Sequence, residues 1–293
     1  MASAEENRHG IGLMLLAMAC YVVNDALIKL ASARLESGQI LLLRGLFASL
    51  MLLAIVGRAG WHHAWRTMLR PVVALRALLE ITTAATSVAA LSRLSLATVT
   101  SIMMIAPLII VAVSMALGFE PRRADRALAA IAGFFGVVLV LQPSSAGNLP
   151  GLALALACAA SLAARDLVNR AIPLEVPSLL IAAATTLAVT LAGAAMTTME
   201  SRLIPDPQTL AWLVGAAVFT AVGNSAVVAA ARRADLSVVA PFRFSNIVWA
   251  LVLGFSIWGE VPRWYAFVGI ALIASSSAYV LRSTRRSPGD ARC

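Results

Sequence analysis

Apolar residues in this chain come in runs of about twenty, parted by short stretches rich in arginine, proline and glycine. A helix crossing the roughly 30 Å hydrocarbon layer needs about 20 such residues. Ten runs meet that length: 11–31, 38–57, 71–92, 96–117, 124–142, 149–170, 177–198, 208–230, 236–257 and 262–282. The breaks are of the type Gln142-Pro143-Ser144-Ser145-Ala146-Gly147-Asn148, and none is long enough for a soluble domain. A segment in lipid must satisfy its own backbone groups, and the period-two alternation of an outer-membrane barrel strand is absent. The pattern therefore predicts an all-α integral membrane protein with ten transmembrane helices.

Composition sharpens this reading. Of 293 residues, 60% are hydrophobic and only 13% charged, against about a quarter charged in a soluble domain. A mean hydropathy of +0.87 is the opposite of what keeps a chain disordered. The net charge of +9 would suit a nucleic-acid binder only if it clustered on a soluble face. Here the basic side chains sit between the apolar runs, where they set topology. With the N-terminus inside, fourteen arginines fall in cytoplasmic segments, against Arg34, Arg93, Arg202 and Arg263 outside, so both termini are expected in the cytoplasm. The stretch from Ile11 runs past Leu30 without a small-residue cleavage site and reads as a first span, not a signal peptide. Cys20, Cys158 and Cys293 form neither a metal spacing nor a disulfide framework.

Offsetting the chain on itself by 140 residues places Val99 on Val239 and Glu120 on Glu260; one residue out of register, Asp25 falls on Asp166. Each copy then holds five spans, and an odd number obliges the second copy to enter from the opposite side. The expected architecture is two inverted five-helix repeats, residues 1–142 and 149–282, around a central cavity, followed by a cytoplasmic tail at 283–293. Transporters that rock their halves about a midplane site are built this way.

At this point the chain resembles a known family. Ser237-Val238-Val239-Ala240-Pro241-Phe242-Arg243-Phe244 leading to Trp258-Gly259-Glu260-Val261-Pro262, with Gly269 nine residues after Glu260, is similar to the EamA-type branch of the drug/metabolite transporter superfamily. A fainter copy in the first half runs from Ala106-Pro107 to Gly118-Phe119-Glu120-Pro121, with Ala129 in place of the usual Gly. The resemblance implies a secondary transporter of the bacterial inner membrane, its fifth and tenth helices at the periphery of each half. Members include exporters of amino acids, the YddG-type among them, and importers of compounds such as S-adenosylmethionine or riboflavin.

Eight ionisable residues lie inside the spans: Asp25, Lys29, Arg44, Arg76, Glu80, Arg165, Asp166 and Arg243. A charge at the bilayer centre costs at least about 2.5–3.5 kcal/mol, so such groups face the bundle interior, a partner or water. Arg76, Glu80, Thr83 and Ser87 recur at i, i+4, i+7 and i+11 and draw one polar stripe along the third helix. Arg76 and Glu80 can pair along it, and the stripe reads equally as a structural ion pair or as a cavity wall. Asn24-Asp25 and Arg165-Asp166 hold similar places in the two copies, on opposite sides of an inverted pair; Asp25, Arg165 and Asp166 suit gates or clasps, and Asn24 is a cavity candidate. Neighbours 165 and 166 point about 100° apart on a helix, so each is expected to reach another helix rather than its neighbour.

In the ninth span Arg243, Asn246 and Trp249 are further cavity candidates, Asn246 and Trp249 one turn apart as a polar handle beside an aromatic plate. Thr220 and Asn224, one turn apart in the eighth span, join them as possible wall residues; interhelical hydrogen bonding is the alternative for both. Pro107 and Pro241 each remove a backbone donor and mark candidate bends. Ala129/Gly133, Ala132/Gly136, Ala271/Ser275 and Ala274/Ala278 are small-residue packing faces.

Several activities are excluded. Lys29 is the only lysine, so no phosphate-binding Gly-x-x-x-x-Gly-Lys loop exists. His9, His62 and His63 lie outside the spans, which removes a histidine-assisted nucleophile buried in the membrane. No enzyme, cofactor, metal site or nucleic-acid partner is expected. The expectation is an inner-membrane exporter of small metabolites, first of all amino acids, monomeric or weakly dimeric in the bilayer. Import or exchange of S-adenosylmethionine, riboflavin or a drug-like cation is the alternative, and a membrane enzyme or receptor the remote one. Five basic and three acidic side chains in the spans suit a substrate carrying a carboxylate and an ammonium.

Overall fold

The computed structural model describes residues 4–58, 70–116, 148–169, 178–200, 204–233, 240–261 and 264–285, with Ile172 and isolated positions between 128 and 139. Every regular element among them is helical: α1 (Ala4–Ala31), α2 (Ser37–Arg58), α3 (Pro71–Leu91), α4 (Leu96–Met103), α5 (Ala106–Ala116), α6 (Leu149–Asn169), α7 (Ser178–Thr197), α8 (Pro207–Arg233), a 3-10 segment (Ala240–Phe244), α9 (Ser245–Trp258) and α10 (Trp264–Arg285). Among the described residues five stretches are long and apolar enough to cross a membrane by length and composition: Glu5–Ala31, Pro71–Leu91, Leu149–Asn169, Leu180–Thr197 and Pro207–Val227.

Local chemistry sets the helix ends. Pro71 opens α3 after an extended Arg70, because its fixed φ suits a first turn whose N–H groups are unpaired anyway. Ser95 caps α4, its hydroxyl accepting from the Thr98 amide at 3.1 Å. Gly259 ends α9 in the left-handed region at φ 66°, and the Glu260 amide then bonds the Gly254 carbonyl at 3.1 Å. A side chain at 259 would strain that turn. The Glu260 carboxylate crosses over Gly254 and accepts the Leu96 amide at 3.1 Å, so the end of α9 caps the start of α4.

Two spans expected to be single helices are broken. The fourth divides at Met104–Ile105 into α4 and α5. Pro107 has no N–H for the Met103 carbonyl, and the Met104 and Ile105 amides tighten onto Ser101 and Ile102 at 3.2 and 3.0 Å, the i→i+3 pattern of a helix end. The ninth passes through the 3-10 segment that contains Pro241 before α9 begins. The first helix starts at residue 4, seven residues before its apolar run, and α10 continues to Arg285, so residues 283–285 of the expected tail are helical. Residues 286–293, Glu120 and Ala129 lie outside the described residues.

The chain forms two compact units. One comprises residues 1–23, 94–152 and 222–293. In it α9 packs on α4 and α10 on α5, and Gly136 meets the Gly269 carbonyl so closely that an added Cβ would lie 2.7 Å from it. The other comprises residues 24–93 and 153–221. There α7 packs against α2 and α3, with Gly193 against the Leu41–Leu42 backbone and Gly45 against Thr190. The Ser49 and Thr190 hydroxyls meet at 3.2 Å. Small residues let the two backbones approach in this way.

Candidate functional site

Of the eight in-span ionisable residues, all but Arg243 fall in the unit of residues 24–93 and 153–221. Six of them, three arginines and three carboxylates, build a polar network there. Glu80 on α3 is the hub of its first part. Arg76 pairs with it from one turn earlier at 3.5 Å, and Arg165 on α6 reaches both of its oxygens at 3.4 Å. Arg76 Nε also donates to Asn169 Oδ1 at the end of α6. The pair along α3 therefore forms at its i, i+4 spacing and is tied twice to a second helix.

Arg165 also donates through Nη2 and Nε to Asp166 Oδ1, at 2.9 and 3.1 Å. This corrects the expectation that adjacent residues could not pair. The arginine side chain is long enough to curl round the helix, while its Nη1 still reaches Glu80 on another element.

The second part joins α1, α2 and α8. Asn24 Nδ2 donates to Asp25 Oδ1 at 2.8 Å, and Asn24 Oδ1 accepts from the Thr220 hydroxyl at 2.9 Å. Thr220 in turn accepts from Arg44 Nη2 at 3.1 Å. Arg44 lies within electrostatic range of both Asp25 and Glu80, so it links the two parts. Asp25 and Asp166, expected at separate gates, belong to one unit. Arg44 was counted in the sequence among the in-span charges and Thr220 among the possible wall residues, neither with a partner, and Asn169 was not singled out. Spacing rules compare residues on one helix, and these three act between helices.

The other candidates divide. Thr83 is buried, but its hydroxyl bonds its own helix at the Leu79 carbonyl, 2.8 Å away; Ser87 is half-buried farther along α3. Asn224 accepts from the Tyr21 hydroxyl at 2.6 Å in the other unit, an interhelical bond. Asn246 lies on the buried stripe of α9 with Ile247, Ala250 and Gly254, and its Oδ1 has no hydrogen-bond partner. Trp249 is exposed with Val248, Val252 and Phe255, so handle and plate do not share the buried face. Arg243 is exposed in the 3-10 segment. Among the described residues no group of three or more histidine, cysteine or carboxylate side chains could hold a metal ion.

At one end of this unit two loops are clasped. Arg34 donates to Asp206 at 2.7 Å and Gln208 at 3.1 Å and lies 4.9 Å over the Trp212 ring. Glu200 accepts the Gly38 amide at the start of α2 with both oxygens, at 2.9 and 3.0 Å. A carboxylate is favoured there by the helix dipole. The Thr209 hydroxyl, and after it Arg34, hold the exposed Asp206 carboxyl below the ordinary carboxylate range.

The model of the EamA-like transporter family matches residues 8–142 and again 149–282. The chain belongs to the EamA-like transporter family. Like other members it is a multi-pass membrane transporter and not an enzyme. Among EamA relatives, a riboflavin transporter of Rhizobium johnstonii is 28% identical over 82% of this chain and 79% of its own length. An S-adenosylmethionine uptake transporter of Rickettsia prowazekii is 24% identical over 95% and 94%, and that of Rickettsia bellii 25% identical over 95% of each. A solved crystal structure shares the fold, with a TM-score of 0.63 and 18% identity over 95% of this chain and 99% of the other. The names speak of riboflavin and of S-adenosylmethionine uptake, and amino-acid export has no counterpart among them.

Proposed function

We propose that this EamA-family protein is an alternating-access transporter of the bacterial inner membrane whose substrate carries both charges, an amino acid or a metabolite built on one. The two matched segments are read as inverted five-helix repeats with both termini in the cytoplasm. The observation that carries the proposal is the network itself. Three arginines and three carboxylates, tied across α1, α2, α3, α6 and α8, draw on helices of both matched segments. Buried charges are kept at a cost only where something uses or balances them, and a zwitterion can exchange with such pairs without stranding either sign.

S-adenosylmethionine, the substrate named for two of the relatives, bears an α-amino and an α-carboxylate group and fits the same description as the amino acids expected from the sequence. Uptake and export are open to the same molecule, because an alternating-access protein follows the gradient it meets. Riboflavin transport is the second reading, favoured by the relative of 28% identity; a neutral flavin would leave the network's charges unused. The test is a competition panel of amino acids, S-adenosylmethionine, riboflavin and nucleosides against labelled uptake into proteoliposomes. Competition by compounds with an α-amino-acid head is expected. Competition by riboflavin alone would transfer the assignment to flavins.

A further inference from the structure

We infer that Arg44 and Asp25 form the recognition site for an α-amino-acid head, Arg44 receiving the carboxylate and Asp25 the ammonium. The inference rests on the transporter reading and names the chemistry of its substrate. Of the three arginines in the network, Arg76 and Arg165 are committed to Glu80, Asp166 and Asn169. Arg44 is different. Among the described residues it makes no ion pair, and its one hydrogen bond runs from Nη2 to the Thr220 hydroxyl. A guanidinium has five N–H groups in a fixed fork, no acceptor, and no way to shed its charge, so the remaining donors of Arg44 are available.

Asp25 mirrors it. Oδ1 accepts from Asn24, and no cation pairs with the carboxylate among the described residues. Both residues are half-buried. The two charges stand at the ends of a neutral bridge of hydrogen bonds. Arg44 donates to the Thr220 hydroxyl, which lies 2.9 Å from both the Asn24 side-chain oxygen and the Ala216 carbonyl of its own helix, and the Asn24 amide donates to Asp25. Nothing in that bridge neutralises either end. An α-amino-acid head supplies what each end lacks: a carboxylate for parallel N–H bonds from the fork, and an ammonium for the carboxylate. The group attached beyond the α-carbon is unconstrained, so a free amino acid and a nucleoside-linked one are recognised alike.

The experiment is competition against labelled S-adenosylmethionine uptake into proteoliposomes, using unlabelled S-adenosylmethionine and its decarboxylated analogue, which lacks only the carboxylate. Wild-type protein should prefer the intact compound by about tenfold or more, since a site built around a polar group rejects the analogue without it. In Arg44→Gln that preference should collapse toward one, with Arg44→Lys intermediate. A wild type that does not discriminate, or an Arg44→Gln variant that discriminates as well as wild type, overturns the inference. The wild-type ratio decides alone where the variant does not fold. Uptake of riboflavin without uptake of S-adenosylmethionine removes this site but leaves a transporter; absence of any flux removes both.

Discussion

Glu80 holds two arginines at once, one along its own helix and one from α6. Removing its charge leaves the Arg76 guanidinium without a counter-ion and Arg165 with Asp166 alone, a loss of roughly 1–3 kcal/mol or more for charged donors. Glu80→Gln is therefore expected to lower the thermal midpoint in detergent and to cut uptake at least about tenfold, the effect of about 1.4 kcal/mol on a rate. A variant with wild-type stability and uptake would mean that Glu80 anchors nothing. The pair of Arg76 with Glu80 was legible in the sequence, because i and i+4 face each other on any helix. Arg165 with Asp166 was not, because reach round the helix depends on a flexible side chain. Nor was the state of Arg44, which depends on which side chains of α1 and α8 meet it across the helices.

At the scale of helices, close packing and breaks follow from small residues and proline. An added Cβ at Gly193 would lie 2.5 Å from the Leu42 amide nitrogen, a backbone atom that cannot swing aside. Gly193→Ala should therefore part α2 from α7 and destabilise the protein by about 1–3 kcal/mol, read as a lower thermal midpoint; an unchanged midpoint would contradict the contact. Pro107 and Pro241 were legible as bends from the missing donor alone. That the first becomes a two-residue turn between α4 and α5, and that the second sits in a 3-10 segment, was not legible there. α4 is held separately by its own Ser95 cap and by Glu260 from the end of α9. The glutamate of the repeated motif thus has a structural task that its sequence position did not disclose.

At the scale of the molecule, several described helices are apolar outside and polar within. Leu46, Leu50, Leu75, Leu78, Val214, Val218 and Val222 are exposed on α2, α3 and α8, the same helices whose other positions carry Arg44, Arg76, Glu80 and Thr220. Span lengths and arginine placement made the membrane class readable from the sequence, and the repeated five-span pattern pointed to a transporter. What it could not convey is that seven of the eight in-span charges, drawn from both matched segments, fall in one unit, since that is a property of tertiary packing. The central claim is that these charges serve a carrier that exposes one site alternately to each side. Solute counterflow tests it most directly: proteoliposomes preloaded with unlabelled S-adenosylmethionine are diluted into a trace of labelled compound. A carrier exchanges the two, so labelled substrate should rise transiently above its equilibrium level inside the vesicles. Equilibration with no overshoot, or no entry of label beyond that of empty liposomes, would contradict the account.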